Sequence, residues 1–419
     1  MPETSGQHVT CGPGYSSPRD AMLHGPREKI LYVNCIHTDP NKPDMLATVD
    51  VDPASSTYCQ ILEPEEMHKH GVATPHTAHC SPTGEIMIST LGNPSGDAVG
   101  DFLCIDSNTL EITGTWVKSE QKAKFGYDFW YQPYHDTLIA TEWGVPNVFK
   151  RGFSADDPEN VEVYGRSLNF YSWKNRTLQQ VINLGEEGTT PLEVRFLHEP
   201  TSNIGYVGCA MHSAVYKFQK KEDGTWTADK VIKVPAKKVE GWITPYMSGM
   251  ITDILVSLDD KYLYFSNWLH GDVRQYDITD RDHPRLVGQI FLGGSVLTDS
   301  KVRVIEDQEL EKQPNPIYVK GRKLDGSPQM LQLSLDGTRL YVTTSLFKPW
   351  DQQFYAEHVK HGSVMVKLNV DIKNGGMKVD QDFLIDFGSD QSDVLLAHEM
   401  RYPGGDCTSD IWLAEETKL

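Results

Sequence analysis

The stretch SLDDKYLYFSNWLHGDVRQYD, residues 257–277, decides the fold. Ser257 to Asp260 is a tight polar turn. Lys261 to Asn267 is an aromatic-rich strand. After Trp268-Leu269-His270-Gly271-Asp272 a second strand runs from Val273 to Tyr276. Turn, strand, turn and strand in about 20 residues is the spacing of an antiparallel meander. The first half recurs as SLDGTRLYV at 334–342, and more loosely as SPTGEIMI at 81–88. Small sheets repeated along a chain predict an all-β fold, a β-propeller of four-stranded antiparallel blades.

Blade-sized units fall near 76–116, 127–183, 194–235, 250–292 and 328–387. Between the last two, 293–327 reads as an insertion rich in charge and proline, with a short helix expected from Glu306 to Lys312. Pro64 to Met67 is expected to open another short helix. Residues 1–27 carry the breakers Gly12-Pro13-Gly14 and Gly25-Pro26 and read as an irregular arm. The segments 28–52 and 397–413 each hold about half a blade. Pairing strands from the two termini would close the ring, giving about six blades. No linker is visible, so 28–419 reads as a single domain.

The chain has 419 residues, with 39 basic and 58 acidic ones and a formal net charge of −19. A nucleic-acid binder needs basic patches, so that class is disfavoured. No apolar run approaches the ~18–20 residues of a membrane span, and the polar start has no signal-peptide core. An intracellular, non-secreted protein is expected. The seven cysteines, at 11, 35, 59, 80, 104, 209 and 407, form no Cys-x-x-Cys and suit a reducing compartment with free thiols.

There is no phosphate loop, no Gly-x-Ser-x-Gly elbow and no His-Glu-x-x-His, so NTPase and hydrolase readings gain nothing. Histidines are the informative residues. His76 and His79 flank a blade entry beside Cys80, and imidazole with thiolate suits copper or zinc. On a strand the i, i+3 spacing puts them on opposite faces, so a shared site needs a turn between them. His198, His270 and His398 each follow an apolar step, which suits a channel-facing strand end or a plain backbone cap. The aromatic run Phe125 to Tyr131 with Trp143 reads as packing between blades. Cys59 reads as a buried thiol or a reactive one, and no Lys or Arg lies close to it.

Several runs closely resemble the selenium-binding protein family. They are GPGY (12–15), ATVDVDP (47–53), GYDFWYQP (126–133), SNWLHGD (266–272), FLGGS (291–295) and HEMRYPGGDC (398–407). The resemblance spans nearly the whole chain. It implies a seven-bladed propeller and a copper-dependent oxidation of methanethiol. Oxygen and water are consumed, and formaldehyde, hydrogen sulfide and hydrogen peroxide are formed. It also implies selenium held through a cysteine whose Tyr-Cys-Gln context matches Cys59. The family implies cytosol and nucleus, with peripheral attachment to membranes. His76, His79, His270 and His398 are the candidate copper ligands, as a set drawn from their strand-end positions and the resemblance. The alternative is a selenium- or thiol-binding propeller without turnover, acting in redox sensing or protein transport.

One departure stands out. In the family the Tyr-Cys-Gln triplet precedes a segment bearing His-His-Ser-Gly-Trp-Asn and Cys-Ser-Ser-Cys. Here Gln60 is followed at once by Ile61-Leu62-Glu63-Pro64. About one blade is therefore expected to be missing after Gln60, and metal ligands with it.

Overall fold

The computed structural model describes residues 30–35, 45–50, 64–388 apart from Pro82, Asn108, Leu110 and Pro200, and 394–400. A hairpin of β1 (Ile30–Cys35) and β2 (Met45–Asp50) comes first, then the short helix α1 (Pro64–His68). The first blade is β3 (Ala73–Cys80), β4 (Glu85–Gly92), β5 (Ala98–Asp106) and β6 (Ile112–Thr115). The second is β7 (Phe129–Gln132), β8 (Thr137–Ala140), β9 (Ser167–Ser172) and β10 (Thr177–Asn183), with helix α2 (Pro146–Phe149) inserted. The third is β11 (Pro191–Phe196), β12 (Ile204–Cys209), β13 (Ala214–Lys220) and β14 (Trp226–Lys233). Strands β15 (Lys237–Glu240) and β16 (Tyr246–Met247) follow. The fourth blade is β17 (Ile251–Val256), β18 (Tyr262–Asn267), β19 (Asp272–Asp277) and β20 (Arg285–Phe291). Strand β21 (Arg303–Glu306) joins β15 and β16 in a three-stranded sheet, and β22 (Tyr318–Val319) pairs with β23 (Arg322–Lys323). The fifth blade is β24 (Leu331–Leu333), β25 (Arg339–Thr343), β26 (Val364–Val370) and β27 (Met377–Asp386), with α3 (Lys348–Phe354) and α4 (Ala356–His361) inserted.

The five four-stranded sheets are antiparallel meanders, and their ranges follow the expected units closely. The repeated turn explains the regularity. Ser257 Oγ donates to Asp259 at 2.6 Å, accepts from Tyr262 N–H at 2.9 Å, and the Ser257 carbonyl takes Asp260 N–H at 2.8 Å. Ser334 repeats all three bonds with Asp336, Arg339 and Gly337. The residue closing each turn is left-handed: Gly84, Asp260 and Gly337 have φ of 79°, 55° and 72°. Glycine does this freely, and Asp is among the few other residues that tolerate it.

The strands then sort by depth. Every residue of β11, β17 and β18 is buried, because apolar side chains on both blade faces meet neighbouring blades. Outer strand β10 alternates instead, with one face to solvent. Three apolar layers fill the spaces between blades. Phe102, Phe129 and Phe218 belong to the layer through the first three blades, Ile232 and Phe265 to the next, and Tyr264 and Leu333 to the last.

Two expectations need correction or restriction. Glu306 to Lys312 forms no helix. The Asp307 carboxylate accepts from Glu309 N–H at 2.9 Å and Leu310 N–H at 3.2 Å, a local alternative to a helical turn. It also takes Lys237 Nζ at 2.7 Å, which ties the bend to β15. The 1–27 arm and any pairing of 401–413 with β1 and β2 lie outside the described residues.

Candidate functional site in the central channel

Ladder register makes the inner strands comparable. Ala78, Phe129, Val194, Ile254 and Leu331 sit opposite Ile88, Ala140, Val207, Phe265 and Val342. One residue earlier stand Thr77, Asp128, Glu193, Asp253 and Met330. Two earlier stand His76, Tyr127, Leu192, Thr252 and Gln329. Hydroxyls on the second strands bolt this layer together. Ser89 Oγ donates to the Tyr127 carbonyl at 2.5 Å, and Ser266 Oγ to that of Gln329 at 2.6 Å. Thr343 Oγ1 donates to the His398 carbonyl at 2.5 Å. His398 and Glu399 therefore occupy the next position of the same two rings, beside the fifth blade.

The first ring brings His76 near His398. The His76 ring lies 4.0 Å from that of Tyr127, and its Nδ1 is 2.9 Å from Thr77 Oγ1. Burial pushes its pKa down to about 4, against smaller upward pulls from Glu399 and Asp128, so the imidazole is neutral at pH 7. His398 sets its Nδ1 2.9 Å from the Ser345 carbonyl, so Nδ1 carries a hydrogen towards that oxygen. His79 follows the β-bulge between Pro75 and Ala78, edge-on to Trp130 at 4.4 Å and to Phe129 at 5.0 Å, and is near enough to Asp128 to favour its charged form. His270 is in a separate place. It is fully buried at the β18–β19 turn, with Nε2 3.1 Å from the Met247 carbonyl and Lys237, Asp272 and Arg274 as its charged neighbours. His198 fastens a turn, with Nδ1 2.8 Å from Asp260. Cys59 lies outside the described residues.

The second ring is the part sequence reading missed. Asp128, Glu193 and Asp253 are all buried, and Arg195 reaches into them. Its Nη1 is 2.7 Å from Asp128 Oδ2 and its Nη2 is 2.9 Å from Glu193 Oε2. Asp253 takes Ile254 N–H and Leu331 N–H, each at 2.7 Å. Burial raises Asp253 to about 7 and Glu193 well above its usual range. Burial pulls Asp128 the same way, but Arg195, His79, Glu193 and the Val194 N–H together outweigh it and hold Asp128 low. The available signal was an acidic residue inside an apolar run, as in Leu192-Glu193-Val194 and Thr252-Asp253-Ile254.

An apolar roof covers the end where the inner strands begin. Tyr127 and Leu192 of the first ring belong to it, with Trp143, Phe149, Met250, Trp268 and Trp350. Trp143 stacks on Phe149 at 3.9 Å, and Trp350 Nε1 donates to the Phe149 carbonyl at 2.9 Å. Gln353 clasps Phe153 by two 2.9 Å bonds to its backbone. The two rings thus carry buried acidic and imidazole side chains next to an apolar cap.

Copper is the group the resemblance implies. The neutral His76 imidazole and the Nε2 of His398 are donors of a suitable type. Among the described residues, however, no three His, Cys, Asp or Glu side chains converge as a metal site. The described donor set does not make a complete copper centre.

The sequence matches the model of the 56 kDa selenium binding protein family (SBP56) in two runs, residues 9–68 and 60–413. Methanethiol oxidase of Xenopus laevis is 49% identical, over 96% of this chain and 99% of that protein. Methanethiol oxidase of Homo sapiens is 46% identical, over 96% and 98%. The crystal structure of a hypothetical selenium-binding protein from Sulfolobus tokodaii superposes with a TM-score of 0.75 at 31% identity, covering 95% of this chain and 98% of that one. The Xenopus alignment runs over 469 positions against 419 residues here, so at least 50 of its positions have no counterpart in this chain. The two family matches meet at residues 60–68, where Gln60 is followed directly by Ile61.

Proposed function

Because the chain belongs to the 56 kDa selenium binding protein family, we propose that it is a methanethiol oxidase working in the roofed central channel. The observation that carries this is the 46–49% identity, across 96% of the chain, to proteins named for that activity. The proposed reaction takes methanethiol, O2 and water to formaldehyde, hydrogen sulfide and hydrogen peroxide. The thiol and water together give up two electrons and two protons, and O2 accepts both.

The chain's own residues support the binding and proton side of this. The apolar roof would keep water away from the rings and is compatible in character with a small methyl thiol. His76 is neutral at pH 7 and, with a pKa of about 4, is better suited to offering a lone pair to a bound group than to holding a thiol proton. The acidic ring lies next to it. Copper, where bound, would supply one-electron transfer between thiol and oxygen, with His76 and His398 as its imidazole donors. Among the described residues those two side chains do not complete a copper site. Selenium attachment at Cys59, and residence in cytosol and nucleus with peripheral membrane attachment, extend the proposal from the family. Production of sulfide and peroxide from methanethiol, above a control without protein, tests the activity.

A second reading is a thiol- or selenium-binding propeller without turnover. The incomplete donor set and the positions missing near Gln60 favour it. The same assay separates the two.

A further inference from the structure

Asp128 is fully buried, and lasting donors account for only one of its oxygens. Oδ2 takes Arg195 Nη1 at 2.7 Å and Val194 N–H at 2.9 Å. Oδ1 has no such donor. A buried charged oxygen left bare costs at least ~1–3 kcal/mol, so native structures seldom leave one. Glu193, 5% exposed and held on the same guanidinium, is a hydrogen-bonding neighbour of the Asp128 carboxyl, and His79 is the other titratable group beside it. Two carboxyl groups can bond each other only when one carries a proton.

The surrounding charge points the same way. Glu193 faces Asp128, Asp253 and Tyr127; Arg195 is the permanent cation against them, and His79 is a further titratable neighbour on the Asp128 side. Three ionised carboxylates around one guanidinium, even with His79 as an imidazolium, would leave at least one uncompensated negative charge away from water. Burial and the Asp128 charge both push Glu193 towards its neutral form.

We propose that Glu193 is a neutral acid at neutral pH, shares its proton with Asp128 on the Arg195 guanidinium, and serves as the proton store of the channel. Its use in turnover rests on the oxidase reading; its existence does not. In turnover the Glu193 proton leaves towards oxygen as O2 is reduced to peroxide. A proton released from the thiol and water restores it, and the electrons pass from that pair to O2. Glu193 is a positioning and proton-holding residue and does not itself touch substrate.

The test uses the full chain at rest and in turnover. Infrared difference spectra at neutral pH, wild type minus Glu193→Gln, should show a carboxylic-acid carbonyl band present only in wild type. Melting gives an independent readout. The folded pKa of Glu193 lies above its unfolded value, so wild type loses stability as pH rises from about 5 towards 8. Glu193→Gln, whose amide also donates to Asp128, removes that loss, and its advantage over wild type should grow with pH. Activity of Glu193→Gln should fall ~10²-fold or more, and Glu193→Asp should restore part of it with a shifted pH profile. A missing infrared band, or a melting difference that is flat with pH, overturns the shared proton. With the band and the melting difference present, undiminished turnover in Glu193→Gln overturns its use. No turnover in wild type overturns the oxidase reading, and the proton-store role with it, while the shared proton stands.

Discussion

Thr343 gives its hydroxyl hydrogen to the carbonyl oxygen of His398 across 2.5 Å, the bond that Ser266 makes to Gln329 and Ser89 to Tyr127. The tail segment thus sits where the inner strand of the next blade belongs. Gln332 Nε2 adds a bond to the Met400 carbonyl at 3.2 Å. Thr343→Val and Ser266→Ala should each destabilise the fold by ~1–2 kcal/mol, since each strips a donor from a carbonyl between blades. Urea unfolding measures both. A neutral Thr343→Val beside a costly Ser266→Ala would mean that the tail does not hold the ring.

The roof depends on Trp350, which is 1% exposed and bonded to the Phe149 carbonyl. Trp350→Ala should cost ~3–5 kcal/mol from lost contacts and the cavity left behind. Where the variant folds, water should enter the channel and activity should fall. Hydrogen exchange at inner-strand amides would report the opening, and unchanged protection would detach the roof from the channel.

Asp351 gives a pH test apart from the channel. Ser345 Oγ donates to it at 2.6 Å, yet burial pushes its pKa up to about 7. The folded value exceeds the unfolded one, so this stability is present below about pH 4 and lost as pH rises through 7. Asp351→Asn should flatten that fall. Identical pH–melting curves for wild type and variant would remove Asp351 as its source.

The missing positions near Gln60 bear on metal. This chain is expected to hold copper below one per molecule. Inserting the relatives' segment after Gln60 should raise both copper content and melting temperature. His76→Ala and His398→Ala should lower copper in that restored chain, whereas His270→Ala should not, given its separate surroundings. Equal copper in the original and restored chains would make the segment dispensable.

The repeat Ser-Leu-Asp-Asp/Gly made the blades legible, because one turn chemistry recurs before each aromatic strand. Short-range signals of this kind survive in sequence. The insertions were less legible. Asp307 bends the chain where charge pattern suggested a helix, and its partner Lys237 is far away in sequence. The histidines were visible as residues but not as a set. His76 and His398 meet only through the ring, while His270 shares their local pattern and lies elsewhere. The acid ring was overlooked because Asp128, Glu193 and Asp253 are single residues in apolar runs, joined only by the Arg195 that reaches them.

The most direct test is turnover itself. Purified full chain, with and without added copper, is given methanethiol and oxygen, and sulfide and hydrogen peroxide are followed together. The account predicts equal amounts of the two products, formed faster than in a control without protein and faster still with copper. Tight thiol binding with neither product at any copper level would contradict it and leave a binding protein.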